Sequence, residues 1–441
     1  EIKYGNIGNL HISEFIHKDL VNFSLSDLKR SIAHISDGLK PSQRKVLHAC
    51  FVKNLTNEMK VAQLAAYVSE KTSYHHGEVS LADTIVKLAH DFIGSNNINL
   101  LEPCGQFGTR LMGGKDASQT RYIFTKLTKD ARYLFDSRDD PVLNYLNDDG
   151  KQIEPEFFVP ILPTILINGS EGIGTGFSSY IPSFNPHDIK NNIERVLSGQ
   201  SIQKMKPWFS KFKGRIFEDE NDSWIAEGIW SKVGNDIHVT ELPPGRWTQD
   251  YKEYLDTLIE KKTINNYTNN STTEDVNFLI SGYSGENLLK DFKLQKTFRT
   301  SNMHLFHPEK GIFKYTNPEH ILADFVEIRM KTYKKRKIHL LDVLKHKSIR
   351  LQNTCKFINM VINNKLVVFK RKKQDLENEI SNLFDKIDNS YDYLLNIKTY
   401  QYTQESVLSL SQENEKTKQE TEILKNTHHL DMWKKDLKIY K

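Results

Sequence analysis

The chain has 441 residues, with 61 Lys and Arg against 56 Asp and Glu and a formal net charge of +5; that length exceeds one compact core and implies two or three domains, while the charge permits polyanion binding without demanding it. Cys50, Cys104 and Cys355 are far apart and form no CxxC pair, which argues against a disulfide framework or a zinc site and suits a reducing, intracellular setting. The longest apolar run, Phe157 to Ile167, is too short and too interrupted by Pro160 and Pro163 to cross a membrane.

The positive charge is placed rather than spread. From Arg329 to Lys373 there are fifteen basic residues against one acid, Asp342, whereas Asp219 to Asp222 is acidic. The first residue is Glu1 rather than Met, so a processed or partial chain is expected, and no signal peptide is visible.

Residues Ser24 to Lys53 read as two helices joined by a turn at Asp37-Gly38. Ser24 or Ser26 is expected to cap the first, and Pro41 suits the first turn of the second. In that second helix Val46, Leu47, Cys50 and Phe51 share a face and leave Arg44, Lys45 and His48 on others, a helix-turn-helix pattern with a basic outer face or a plain helical hairpin. A third helix is expected near Val61 to Glu70 and a fourth from Leu81 to Phe92, opened by a Ser80-x-x-Asp83 capping box. Between them Tyr74-His75-His76-Gly77-Glu78 sits where a helix N-terminus favours an anion, although ordinary loop hydrogen bonds would also use such a pair. Adjacent histidines lack the His-hydrophobe-His spacing of a metal pair.

The run Gly113-Gly114-Lys115-Asp116 to Arg121-Tyr122-Ile123 sets a tyrosine directly after an arginine beside a cationic, glycine-rich approach. Phenols titrate near pH ~10, so Tyr122 can attack phosphorus at neutral pH only if cations stabilise its oxyanion or a base takes its proton. Taken alone, the two residues also fit a buried structural tyrosine on a strand with an outward arginine. From Phe157 to Tyr180 a β-rich stretch is expected to end in Glu171-Gly172-Ile173-Gly174-Thr175-Gly176. Its glycines do not make a nucleotide loop, because Ser178-Ser179 to Pro182 offers no helix for a pyrophosphate. An apolar Ile173 at the tip of a flexible glycine turn remains, suited to wedge between base pairs.

Gly214 to Glu241 alternates in the strand manner, Pro243-Pro244-Gly245 makes a turn, and Thr248 is expected to cap a helix running to about Lys261. The Asn-rich stretch Ile264 to Ser271 reads as a loop. From Ile321 onward Leu344, Leu351, Cys355, Ile358 and Ile362 keep one helical stripe, with Lys347 and Ser348 at its gap, and Leu376, Ile380, Leu383 and Ile387 make a second. Residues Ser411 to Glu422 are polar and helix-compatible. A long antiparallel coiled coil follows, whose apolar tip near Tyr391 to Ile397 would make a dimer contact; helices on a globular core are the alternative.

Taken in order, these motifs resemble the breakage-reunion region of eukaryotic-type type II DNA topoisomerases over nearly the whole chain. Carriers of the resemblance are Asp37 to Val46, Tyr74 to Glu78, Phe107-Gly108-Thr109-Arg110 with Gly113 to Asp116, Arg121-Tyr122-Ile123, Glu171 to Gly176, and Glu241 to Tyr251. The resemblance implies an α+β chain: residues 1–22 a linker from an upstream metal-binding domain, 23–160 a winged-helix DNA-binding domain, 161–324 a β-rich tower, and 325–441 a coiled coil with a C-terminal dimer gate. It implies Tyr122 as the nucleophile that joins a DNA 5′ phosphate, Arg121 at the scissile phosphate, and His76 and Arg30 as further transition-state contacts. Ile173 resembles the residue that intercalates and bends DNA, and Asn168 lies in the same loop. Lys40, Arg44, Lys45, Arg110 and Lys115 are expected on DNA, adding salt-dependent affinity rather than sequence choice.

The expected partners are double-stranded DNA and a second copy of the chain, with no membrane. Mg²⁺ and ATP are expected in a metal-binding domain and an ATPase module outside this chain, so none of its own residues is a metal ligand and the piece alone should cleave poorly. Short loops and a lean coil give it the look of a version from a large DNA virus; host cytoplasm is expected if viral, the nucleus if cellular. Two other readings remain at this level. A noncatalytic winged-helix and dimerisation protein would need neither Tyr122 nor His76, and a tyrosine recombinase or nicking enzyme would dispense with Mg²⁺.

Overall fold

The computed structural model describes residues 10–74, 77–219, 223–387 and 389–439. It divides into two compact units, Glu1–Arg329 and Met330–Lys441.

Helix α1 (Ile12–Phe15) runs through a π-turn at Ile16–Leu20 into α2 (Val21–Ser31). Neither Ser24 nor Ser26 caps a helix, because the backbone is already helical when they are reached. Helix α3 (Pro41–Lys53) does begin on Pro41, with the Lys40 N–H donating to the Gln43 side chain at 2.9 Å. Helices α4 (Val61–Thr72) and α5 (Glu78–Ala89) pack on α3 and on each other, and strands β1 (Met59–Lys60) and β2 (Phe124–Thr125) pair antiparallel beside them. Three helices and a small sheet make the winged-helix arrangement. Val46, Leu47, Cys50 and Phe51 are all buried, as their spacing requires. The Ser80–Asp83 box does not form: α5 starts at Glu78, with Gly77 at the N-cap and the acid in the first turn, where the helix dipole favours it.

Helix α6 (Lys129–Leu134) precedes the hairpin β3 (Tyr145–Asp148) and β4 (Lys151–Pro155). Residues 157–163 carry no strand, and Thr164–Asn168 forms the short helix α7. A fully buried apolar run lacks the polar alternation that would separate strand from helix, which is why this stretch misled as β. The hairpin β5 (Ser170–Gly174) and β6 (Phe177–Ile181) follows, then α8 (Pro186–Leu197).

Strands β7 (Arg215–Asp219) and β8 (Ser223–Glu227) join a three-stranded sheet completed later by β13 (Gln295–Arg299). Strands β9 (Ile229–Val233) and β10 (Asp236–Glu241) belong to a second, four-stranded sheet, on which α9 (Thr248–Glu260) lays Tyr251, Leu255 and Leu258. The N-cap of α9 is Trp247, and Thr248 is buried at the first helical position. The Asn-rich stretch holds strand β11 (Asn266–Asn269), an edge paired with β12 (Phe278–Ser281). Tyr267 accounts for it: its partly buried ring packs on the core and its hydroxyl donates to Asp256 at 2.6 Å. After α10 (Leu288–Asp291), the hairpin β14 (Met303–His307) and β15 (Gly311–Tyr315) closes the first unit's strands.

Helix α11 (Pro318–Ile362) continues from the first unit into the second. Within the second unit α14 (Gln404–Asn426) returns antiparallel beside it. Lys347 pairs with Glu413 at 3.0 Å, Ser348 donates to Asn414 at 2.8 Å, and Lys337 donates to the Lys425 carbonyl at 2.8 Å. The stripe Leu376 and Ile380, expected to supply the returning strand, instead lies on α12 (Lys373–Ile380) inside a cap with Phe357, Phe384, Tyr391 and Leu394. Tyr391 and Leu394, the latter on α13 (Asp392–Leu395), are therefore spent on the cap's own core rather than exposed as a tip. Finally α15 (His429–Ile439) stacks Trp433 on Tyr333 at 5.7 Å, and Asp436 accepts from Arg336 at 2.8 Å. Arg329 and Arg336 are fully buried, so the basic run is partly internal structure.

Candidate active site

Tyr122 stands in a turn and is 65% exposed, which removes the reading of a buried strand tyrosine. Its N–H donates to the Gln119 carbonyl at 2.9 Å. The carbonyls of Thr120 and Ile123 accept from the N–H groups of Ala62 at 3.2 Å and Val61 at 3.0 Å, the first residues of α4. Two donors that a helix start leaves without intrahelical partners thus hold the tyrosine turn at the positive end of the dipole. The Arg121 guanidinium lies over the Tyr122 ring, 4.9 Å from its centroid. Both residues are exposed, so this contact is worth about 1 kcal/mol or less and can be exchanged for an anion.

A cleft of about 570 Å³ opens beside the turn, lined by Lys87, His90, Gly113, Gly114, Lys115 and Arg121 among others. Lys115 and Lys87 are exposed on it. Lys87 was missed in the sequence, and its signal was there: it falls on the polar face of α5, opposite the buried Leu81, Ile85 and Leu88. Burial first, and then repulsion from Lys87, hold the Lys40 ammonium below the usual lysine range. Lys40 also donates to the Glu171 carbonyl at 2.8 Å. Arg121, Lys115, Lys87 and Lys40 therefore lead from the tyrosine turn to hairpin β5–β6.

On that hairpin Ile173 is 79% exposed. It is a strand residue paired with Ser178, not the tip of a flexible turn. Its glycine neighbours serve close packing on α2: a Cβ on Gly172 would stand 2.1 Å from the Ser31 carbonyl oxygen, and one on Gly174 2.9 Å from the Leu28 side chain. Asp27 fastens the hairpin, accepting from the Thr175 N–H and hydroxyl at 2.9 Å each, and it also pairs with Arg30 at 2.7 Å. Arg30 and Ile173 are thereby held on one assembly of α2 and the hairpin.

Four expected DNA contacts prove to be engaged in structure. Arg44 is 6% exposed and bonds Asp37 through Nε at 2.7 Å and Nη2 at 3.0 Å, so it faces inward. Arg110 is buried against Glu241 at 2.6 Å. Lys45 donates to the Thr72 carbonyl at 2.6 Å and pairs with Glu154 at 2.8 Å. Asn168 spends its amide on the Ile98 backbone, accepting from its N–H and donating to its carbonyl, both at 2.9 Å. Burial of a cation demands a partner, and long basic side chains in a sequence do not reveal which of them found one. His76 lies outside the described residues.

Among the described residues no group of three or more His, Cys, Asp or Glu side chains could hold a metal ion. Mg²⁺ therefore does not fit the described residues.

Residues 30–438 match the model of the family described as DNA gyrase/topoisomerase IV. The chain belongs to this family, the type II DNA topoisomerases. It is 42% identical to DNA topoisomerase 2 of Plasmodium falciparum, an alignment covering 97% of this chain and 34% of the relative, and 38% identical to DNA topoisomerase 2 of Saccharomyces cerevisiae, covering 97% and 34%. A mitochondrial DNA topoisomerase 2 of Dictyostelium discoideum is 40% identical over 99% of this chain and 35% of the relative. The chain thus spans about a third of the length of these relatives. In structure it is similar to the DNA-binding, cleavage and re-ligation domain of Plasmodium falciparum topoisomerase II, with a TM-score of 0.91, 43% identity, and coverage of 96% of this chain and 63% of that one.

Proposed function

We propose that this chain is the breakage-reunion region of a type II DNA topoisomerase that acts intracellularly on double-stranded DNA as a homodimer. The carrying observation is Tyr122, exposed at the start of α4 under the Arg121 guanidinium and beside a cleft lined with lysines. In the proposed reaction the Tyr122 hydroxyl oxygen bonds to a DNA phosphorus as the bond to the 3′ oxygen breaks, and that oxygen takes up a proton. Arg121 turns from the ring to the nonbridging oxygens, where a guanidinium matches the charge that develops. The ester to the 5′ phosphate keeps resealing open to the 3′ hydroxyl. Arg30 and His76 are assigned as further contacts to that phosphate, Lys40, Lys87 and Lys115 to the DNA backbone, and Ile173 to a base step, which it wedges apart.

In domain terms, we assign residues 23–160 to the winged-helix domain, 161–324 to the tower and 325–441 to the coil and dimer gate. Mg²⁺ and ATP are assigned to parts of the relatives that this chain does not match.

The test is covalent trapping. With duplex DNA and magnesium, the complete polypeptide should yield a denaturant-resistant protein–DNA adduct. Tyr122→Phe should yield none. An adduct from the phenylalanine variant would show that another group is the nucleophile.

A further inference from the structure

The loop Gly108–Asp116 carries Lys115 and leads into Arg121 and Tyr122, yet it has a cleft on either side. One is the lysine-lined cleft; the other, of about 520 Å³, lies against Phe107 to Arg110 with Lys211, Lys213 and Asp275 on its walls. A loop so exposed needs anchors. It has a local one, the Thr109 N–H to Asp116 at 2.9 Å. The others come from Glu241–Gln249, at the end of β10 and the start of α9.

Trp247 is the centre of that anchor. A Cβ on Gly113 would stand 2.3 Å from the indole, so the ring occupies the space that any other residue there would fill, and Gly113 adopts a φ of +61°. Phe92 meets the indole edge-on at 5.7 Å. The next two residues continue the grip: the N–H groups of Thr248 and Gln249 donate to the carbonyls of Arg110 at 3.3 Å and Leu111 at 2.9 Å. Those amides open α9, so the loop backbone takes the bonds that a helix start must otherwise find elsewhere. Beneath them the buried Arg110–Glu241 pair ties the loop to β10. A tryptophan, two amides and one ion pair on a short segment of the β-rich module therefore fix the approach to the tyrosine turn.

We propose that Trp247 is a positioning residue that couples the β-rich module to the Tyr122 turn through Gly113, setting where Lys115 and Arg121 stand. Its catalytic meaning rests on the reading of Tyr122 given above, whereas the mechanical coupling does not.

The experiment uses this chain, with amide hydrogen exchange and duplex-DNA affinity as readouts. Trp247→Ala should raise exchange across residues 108–122 about tenfold or more while the strands of the four-stranded sheet keep their protection. Trp247→Phe, which keeps an aromatic plate, should stay within about threefold of wild type. Gly113→Ala should disturb the same amides, and pairing it with Trp247→Ala should give less than the combined effect, because the clash is then gone. Lys115→Ala should weaken DNA binding less in the Trp247→Ala background than in wild type. Exchange unchanged in Trp247→Ala, a rise shared evenly by the whole chain, or strict additivity with Lys115→Ala each overturns the proposal. If the wild-type chain binds no DNA, the functional reading fails while the exchange comparison still decides the coupling.

Discussion

Asp27 receives both the backbone N–H and the hydroxyl of Thr175 on one carboxylate oxygen, each at 2.9 Å. This joins α2 to the hairpin that presents Ile173. The bonds to Arg30, and then to Thr175, hold the Asp27 carboxyl below the usual carboxylate range. A depressed carboxylate keeps its clamp above its unfolded pKa and loses it as pH falls through the folded one, so the hairpin is fully fastened at neutral pH.

If Ile173 is a wedge, its aim depends on that clamp. Asp27→Ala and Ile173→Ala should each reduce DNA bending, measured by energy transfer between the duplex ends. Ile173→Ala should leave stability within about 0.5 kcal/mol, because the side chain is already in water. Bending that is unchanged in both variants would remove Ile173 from this role.

Asp37 is the structural counterpart. Fully buried, it accepts from Arg44 twice, from the Leu39 N–H at 3.0 Å and from the Phe158 N–H at 2.9 Å. Asp37→Ala would strand a buried guanidinium and should cost about 3–5 kcal/mol in denaturant unfolding. Arg44→Ala should likewise act on stability first. A variant that lost DNA affinity at full stability would return Arg44 to the interface.

The salt dependence of binding separates the cations. Removing Lys40, Lys87 or Lys115 by alanine should lower the slope of log affinity against log salt by about 0.9 each, the release of one phosphate's counterion. Arg110→Ala should leave the slope alone and lower the melting temperature, because its charge is spent on Glu241.

Acid should find His34. Its imidazole stacks on Phe157 at 4.4 Å, its Nδ1 accepts from the Ser36 N–H at 3.2 Å, and burial pushes its pKa down to about 4. Asp37 favours the charged ring, while Arg44 and His307 oppose it. The folded state binds the proton less readily than the unfolded chain, so the stability from neutral His34 is whole above about pH 6.5 and is lost as pH falls toward 4. The full loss is about 3 kcal/mol. An imidazole NMR signal that titrates near pH ~6.5, as a free histidine does, would contradict this burial.

Much of this was legible in the chain. The apolar spacing in α3 set its buried face, Pro41 its start, and the strand alternation from Gly214 to Glu241 its hairpins, because these signals are local and periodic. Arg121-Tyr122 stood out by residue chemistry alone. The serine caps and the Ser80 box misled because a cap works only where the backbone happens to turn into a helix, and here it turned earlier. The second coil stripe misled because a period of three and four marks a buried helical face without saying what buries it.

What the sequence determined by itself is the set of local choices: which segments are helical or extended, where glycine permits a close approach, and which residue can serve as nucleophile. Only the tertiary structure decided which charges remain available. Arg44 and Arg110 look like Lys40 and Lys115 in a sequence, but two are folded against carboxylates and two line the approach to the tyrosine. That division depends on partners 7 and 131 residues away in the chain, and the free energy of a buried charge is set by those partners rather than by its neighbours in sequence.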